Sequence, residues 1–137
     1  MGRYVSFGII IALLLILAGC RSNKGSPEYF YREARIDAVE VRTTDSVPPQ
    51  VSVIVHGTLP DACTKIDSVK QEIRNHTFIL TITTRRPVHE ICAQTTTPFE
   101  ITTPLAVEGM PAGVYTVIAN DVTASFELKT GTPVPTR

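Results

Sequence analysis

The chain holds no tryptophan, and its 137 residues carry 13 basic and 13 acidic side chains. That balance excludes the basic excess of a nucleic-acid binder and the acidic excess of a solvating tail. No apolar run reaches the ~20 residues that a bilayer-spanning helix needs. Beyond the N-terminus, no segment keeps a 3.6-residue apolar period long enough for a surface helix. No glycine-rich loop joins a strand to a helix, so no phosphate cradle and no cofactor is expected. Gly-x-Ser-x-Gly is absent, and with it a familiar turn for a serine nucleophile. The length fits one ordinary domain.

What is present begins with Met1-Gly2-Arg3-Tyr4, an apolar run from Val5 to Leu17, and then Ala18-Gly19-Cys20. A basic start, a short apolar stretch and small residues before a break make a secretory signal peptide, predicted over residues 1–19. A retained short anchor helix is the alternative. Leu17-Ala18-Gly19-Cys20 resembles the lipobox of bacterial lipoproteins at all four positions. The resemblance implies diacylglycerol on the Cys20 thiol, cleavage before Cys20, and a membrane held as partner through acyl chains. One chain anchors only marginally, whereas two or three hold essentially permanently. Arg21 follows in place of Asp, which by the same resemblance permits outer-membrane sorting in a two-membrane bacterium. In a one-membrane cell the anchor sits on the outer face of the cell membrane.

Assigning Cys20 to lipid leaves Cys63 and Cys92 of the three cysteines. In an exported chain two cysteines are expected to pair. Closing a loop of about 30 residues contributes roughly 3–4 kcal/mol in the chain-entropy picture. The alternatives are free thiols or a metal site, since His89-Glu90-Ile91-Cys92 spaces His and Cys by three. A structural zinc needs a second close ligand pair, which the sequence does not supply. No metal is therefore expected.

Residues 20–35 are predicted to be a tether, with Ser, Asn, Lys, Gly and Pro leading and no apolar period. Tyr29-Phe30-Tyr31 within it has three options: the membrane interface, a first strand, or local packing on the domain. Residues 36–129 hold Val-, Ile- and Thr-rich runs with period-two alternation. They predict strands over 36–44, 51–59, 66–74, 77–85, 99–107, 114–119 and 122–129. Residues 130–137 read as a flexible tail.

Two hairpins test their own register. With Asn120-Asp121 as the loop, Ala119 faces Val122, Val117 faces Ala124 and Tyr115 faces Phe126, all on one side. With Asn75-His76 as the loop, Ile73 faces Phe78, Gln71 faces Leu80 and Val69 faces Ile82. Such half-apolar hairpins need a second sheet, for which Val39, Val41, Val53, Val55, Ile101 and Leu105 are available. The expected fold is all-β: a small antiparallel sandwich of about seven strands, resembling the immunoglobulin-like class in architecture. Without a core Trp it is not an antibody-type domain. A small β-barrel is the alternative. Pro111-Ala-Gly-Val-Tyr-Thr-Val117 resembles the approach to a late strand in many bacterial extracellular sandwiches.

No catalytic set emerges. His56, His76 and His89 fall in separate contexts, and the carboxylates are scattered, so the chain is not expected to be an enzyme. The candidate binding segment is 85–98, long for a compact domain. A 63–92 bridge would pin it to the loop at 59–63 and lower its ordering cost on binding. Arg85, Arg86, His89 and Glu90 are its candidate contacts, the two arginines suiting a carboxylate or phosphate. The expected function is a lipid-anchored, non-enzymatic envelope module with a protein partner. The alternative is an exported peptidase inhibitor acting through the 85–98 loop, on fold analogy alone.

Overall fold

The Val-, Ile- and Thr-rich runs all form strands. In the computed structural model, which describes residues 25–129, there are eight: β1 (Tyr29–Glu33), β2 (Arg35–Thr43), β3 (Val51–Leu59), β4 (Lys65–Arg74), β5 (Thr77–Pro87), β6 (Thr97–Pro104), β7 (Gly113–Ala119) and β8 (Val122–Leu128). The signal segment 1–19, Cys20, the first part of the tether and the tail 130–137 lie outside the described residues.

The strands form two separate sheets, so the fold is a β-sandwich and not a barrel. The smaller sheet runs β2-β3-β6, and the larger is built around β5. Strand β4 pairs with β5 along residues 77–85. The other edge of β5 is shared: β7 takes residues 77–80 and β1 takes residues 83–87. Both hairpin registers match the sequence pattern residue for residue. Asn75 and Asn120 open the two turns at φ 56° and 50°. Asn tolerates this left-handed backbone better than most residues.

The buried face follows the alternation. Val53 and Val55 of β3 meet Phe78, Leu80 and Ile82 of β5 with Val117 and Ala119 of β7, all with no exposed surface. Burying a side chain of this size contributes roughly 1.5–3 kcal/mol relative to leaving it exposed. Val39, Val41 and Ile101 pack against this core from the second sheet, and Leu105 is buried within it. Gly57 lies opposite Phe99, whose ring and the Arg35 carbonyl oxygen occupy the space a Cβ would need. At the far end of β7, Tyr115 Oη donates to the Pro111 carbonyl at 2.7 Å. That is the tyrosine-corner arrangement of many sandwiches.

Three expectations need correction. Residues 29–33 belong to the domain as a strand, so the tether is shorter than 20–35 and the strand count is eight. The cause is edge pairing, because β5 has free backbone groups beyond β7 and β1 fills them. The sandwich is also not wholly antiparallel, since β5 and β7 run parallel. The intervening β6 lies in the other sheet, so the chain returns to the first sheet in its original direction. Finally, Arg85 and Arg86 lie in β5 and not in a loop, which is confined to residues 88–96.

Candidate functional site

Among the described residues, one end of the sandwich collects three of the four crossings between sheets. The β1–β2 crossing is made at Ala34 alone, β3–β4 crosses through residues 60–64, and β5–β6 through residues 88–96. The tip of the β7–β8 hairpin reaches the same place. The sheets do not close over one another there, which leaves a cleft of about 890 Å³. Its lining includes Arg32, Glu33, Asp61, Thr64, Thr84, Arg86, Gln94, Asn120 and Asp121.

Polar side chains of the cleft's lining are tied together by hydrogen bonds. Asp61, Thr64 and Thr84 are the buried polar residues among those described, and all three line the cleft. Asp61 Oδ1 accepts from Cys63 N at 3.0 Å, Thr64 N at 2.8 Å and Thr64 Oγ1 at 2.9 Å. Its Oδ2 accepts from Arg86 Nε at 2.9 Å. Burial alone would push this carboxyl's pKa up. The donors of Thr64, Cys63 and Arg86 outweigh it and hold the pKa below the ordinary value. Asp-x-x-Thr is a short-range sequence signal for such a turn, because Asp accepts from backbone groups two and three residues on.

Asn120 is the second organiser. Its Nδ2 donates to the carbonyls of Ala34 at 2.7 Å and Ile82 at 3.0 Å. Its Oδ1 accepts from Ile82 N at 2.9 Å. The side chain therefore fills the gap on the β5 edge where β7 stops and β1 starts. Thr84 Oγ1 donates to Arg32 O at 3.0 Å and completes that junction.

The predicted contacts separate. Successive strand residues point to opposite faces, so Arg86 enters the cleft while Arg85 lies outside it. Arg85 stacks over the Tyr29 ring at 5.2 Å and sits 3.9 Å from Asp67. His89 Nε2 lies 3.4 Å from Glu28, with both side chains exposed. Glu90 is exposed in the 88–96 loop, beside a smaller groove that Cys63 and Arg85 also line. The four candidates thus do not form one site; Arg86 alone lines the cleft.

Cys63 and Cys92 are joined by a disulfide with Cα atoms 5.7 Å apart. Ala62 N donates to Ala93 O at 3.1 Å beside it, so the two loops are stapled as expected. The Asp61 carboxylate lies within 4.8 Å of both sulfurs. The disulfide consumes those sulfurs and the carboxylate is already saturated with donors, so the cluster serves the staple. The disulfide takes up the Cys92 sulfur, and His89 pairs with Glu28 instead. His56 stands on the outer face of the smaller sheet, 3.9 Å from Glu40 and 3.6 Å from Glu100. His76 packs its ring 5.2 Å from that of Tyr115.

A family model described as the ORF11 beta-sandwich domain matches residues 53–128. An uncharacterized 10.2 kDa protein in the HgiCIIM 5′ region of Herpetosiphon aurantiacus is 38% identical over 94 residues, covering 68% of this chain and 98% of the relative. A second from that organism, in the HgiBIM 5′ region, is 37% identical over 83 residues, covering 61% of this chain and all of the relative. No solved structure matches the chain.

Proposed function

The chain belongs to the ORF11 β-sandwich family, and from that premise we propose that it is an exported, lipid-anchored bacterial envelope protein. Its sandwich is a non-enzymatic module that binds a partner at the crossover end. The division of labour among three cysteines carries this proposal. Cys63 and Cys92 pair, as exported thiols do. That leaves Cys20, placed directly after Leu17-Ala18-Gly19 as in a lipobox. Strand β1 opens at Tyr29, so a lipid at Cys20 holds the domain within about 30 Å of the bilayer at ~3.3 Å per residue. With Arg21 next, the destination is the outer membrane of a two-membrane cell, and otherwise the outer face of the cell membrane.

Intact-mass measurement on protein from a bacterial host tests this. The expected species lacks residues 1–19 and carries acyl chains, and Cys20→Ser abolishes both changes and the membrane association. An unprocessed, lipid-free wild-type chain that does not associate with membranes would overturn the proposal.

Ile91 favours a second reading. It is completely exposed in the 88–96 loop, directly beside the stapled Cys92. An apolar side chain displayed on a pinned loop suits insertion into a protease cleft, so the chain can also act as an exported peptidase inhibitor. Inhibition of a cysteine or serine protease at micromolar protein, lost in Ile91→Ala, is the expected result for that role. Absence of inhibition across such a panel removes it.

A further inference from the structure

Strand β4, Lys65–Arg74, is an open edge of the larger sheet. It pairs with β5 and, among the described residues, with no other strand. Other edges are better protected: Pro98 and Pro104 stand near the two ends of β6, and β2 and β8 lie close together across the sheets. A long unpaired edge is a template for a further strand.

The free backbone groups of β4 can be assigned. Leu80 O accepts from Asn120 N, while Ile82 N donates to Asn120 Oδ1 and Ile82 O accepts from Ala34 N. Both residues therefore turn their backbone groups away from β4. In an antiparallel pair the residues facing such positions turn theirs outward too. Those are Gln71 and Val69, and by alternation Ile73. Val69 and Ile73 are also 36% and 42% exposed, although they face the fully buried Ile82 and Phe78. Between them Gln71 is held in place: its Nε2 donates to Pro104 O and its Oε1 accepts from Ala106 N, each at 3.2 Å. On the other face Lys70, Glu72 and Arg74 are exposed.

The sequence of this edge is complementary to itself. A bulge separates Ile66 from Ser68, so regular strand runs over 68–74 with Gln71 at its middle. In a second copy laid antiparallel about Gln71, Gln71 meets Gln71, Val69 meets Ile73, and Lys70 meets Glu72. Apolar then faces apolar and positive faces negative on both sides of the two-fold axis. Centring on Lys70 or Glu72 instead would set like charges opposite each other. We propose that β4 pairs in this register with β4 of a second copy of this chain, making one continuous sheet from two. This goes beyond the binding-module reading and does not rest on lipidation.

Sedimentation of the purified full chain in detergent, from micromolar to millimolar protein, is expected to show a reversible monomer–dimer equilibrium. Lys70→Glu or Glu72→Lys should weaken the dimer about tenfold, because each sets like charges across the joint twice. The two swaps combined should recover most of that loss. Glu127→Lys, on β8, should change nothing. Gln71→Cys should crosslink to its copy under mild oxidation, above the wild-type background, since residues facing each other in such a pair stand about 5.5 Å apart. Lys70→Cys and Glu72→Cys should crosslink far less, their copies lying diagonally at roughly 7–8 Å. Should Gln71→Cys fail to fold, the charge swaps decide alone. A monomer at every concentration, equal crosslinking at the three positions, or a double swap no better than the single ones would each overturn the proposal. A monomer whose Val69, Gln71 and Ile73 amides resist hydrogen exchange would do so too, by giving the edge to residues of the same chain.

Discussion

At one end of the sandwich, Phe78, Tyr115 and Phe126 pack ring against ring with centroids 5.6–6.1 Å apart. At the other, Asp61, Thr64, Thr84 and Asn120 hold the chain crossings together with hydrogen bonds. The aromatic end gains from area removed from water, a contribution that needs no exact partner. The crossover end gains little net energy per bond, yet loses heavily when a buried group is left without its partner. Ordered polar groups facing a cleft are the costlier way to finish a sandwich. They are also the way that leaves a surface able to recognise something.

The largest expected effect belongs to the aromatic end. Phe78→Ala should cost about 3–5 kcal/mol, since a buried ring is removed and its cavity refills only partly. Urea denaturation measures it, and a cost near 1 kcal/mol would mean that this end is not the stability centre. Next is the staple at the opposite end. Cys63→Ser with Cys92→Ser opens a loop with a sequence separation of 29 and should cost roughly 3–4 kcal/mol. It should also raise hydrogen exchange in residues 60–64 and 88–96 while leaving β7 and β8 unchanged. Exchange rising equally at both ends would erase the distinction between them.

Asn120 sharpens the contrast further. Asn120→Asp keeps the shape but turns an acceptor toward the carbonyls of Ala34 and Ile82. Asn120→Gly keeps the positive φ and removes all three bonds. Both should destabilise by about 2–3 kcal/mol, the Asp variant more, because the Ala34 carbonyl loses its donor and a carboxylate oxygen faces it, while the Ile82 carbonyl keeps Ala34 N at 2.8 Å. A smaller loss for Asp than for Gly would show that the side-chain amide is not what joins β1 to β7.

The two ends also differ in how much of them the sequence discloses. The hairpin at 69–82 and the hairpin at 115–126 were legible because a short turn and period-two alternation fix register locally. Val53, Val55 and Ile101 followed from the same pattern. The crossover end resisted. Asp61 and Arg86 are 25 residues apart, and Asn120 meets Ala34 across 86 residues. No local pattern encodes such pairs. The split of Arg85 from Arg86 was readable in principle, had the strand been extended to Pro87. The sharing of one β5 edge by β1 and β7 was not, because it depends on where the other strands stop.

Acid should weaken the crossover end. The Asp61 carboxyl has its pKa lowered in the folded chain, so its contribution is fully present above the ordinary value of 3.8. It is lost as pH falls through the lower folded value. Asp61→Asn should therefore lower the melting temperature clearly at pH 6, with the gap to wild type narrowing as pH falls below 3.8. A gap independent of pH would mean that charge on Asp61 is not what holds Arg86 and Thr64.

The smallest expected effect returns to the aromatic end, at the Tyr115 hydroxyl. Tyr115 Oη donates to Pro111 O at 2.7 Å, and the residue is 1% exposed. Tyr115→Phe removes the donor but keeps the packing, so the cost is one hydrogen bond, about 0.5–1.5 kcal/mol. Tyr115→Leu also removes the stacking on Phe126 and should cost more. If the hydroxyl accounts for most of the Leu loss, the aromatic end depends on a single directed bond as the crossover end depends on several. If the ring accounts for most of it, packing area governs one end and hydrogen-bond geometry the other. The second outcome is expected, because the Pro111 carbonyl belongs to an exposed residue and can turn to water when the hydroxyl is gone, whereas Ala34 beside Asn120 is buried.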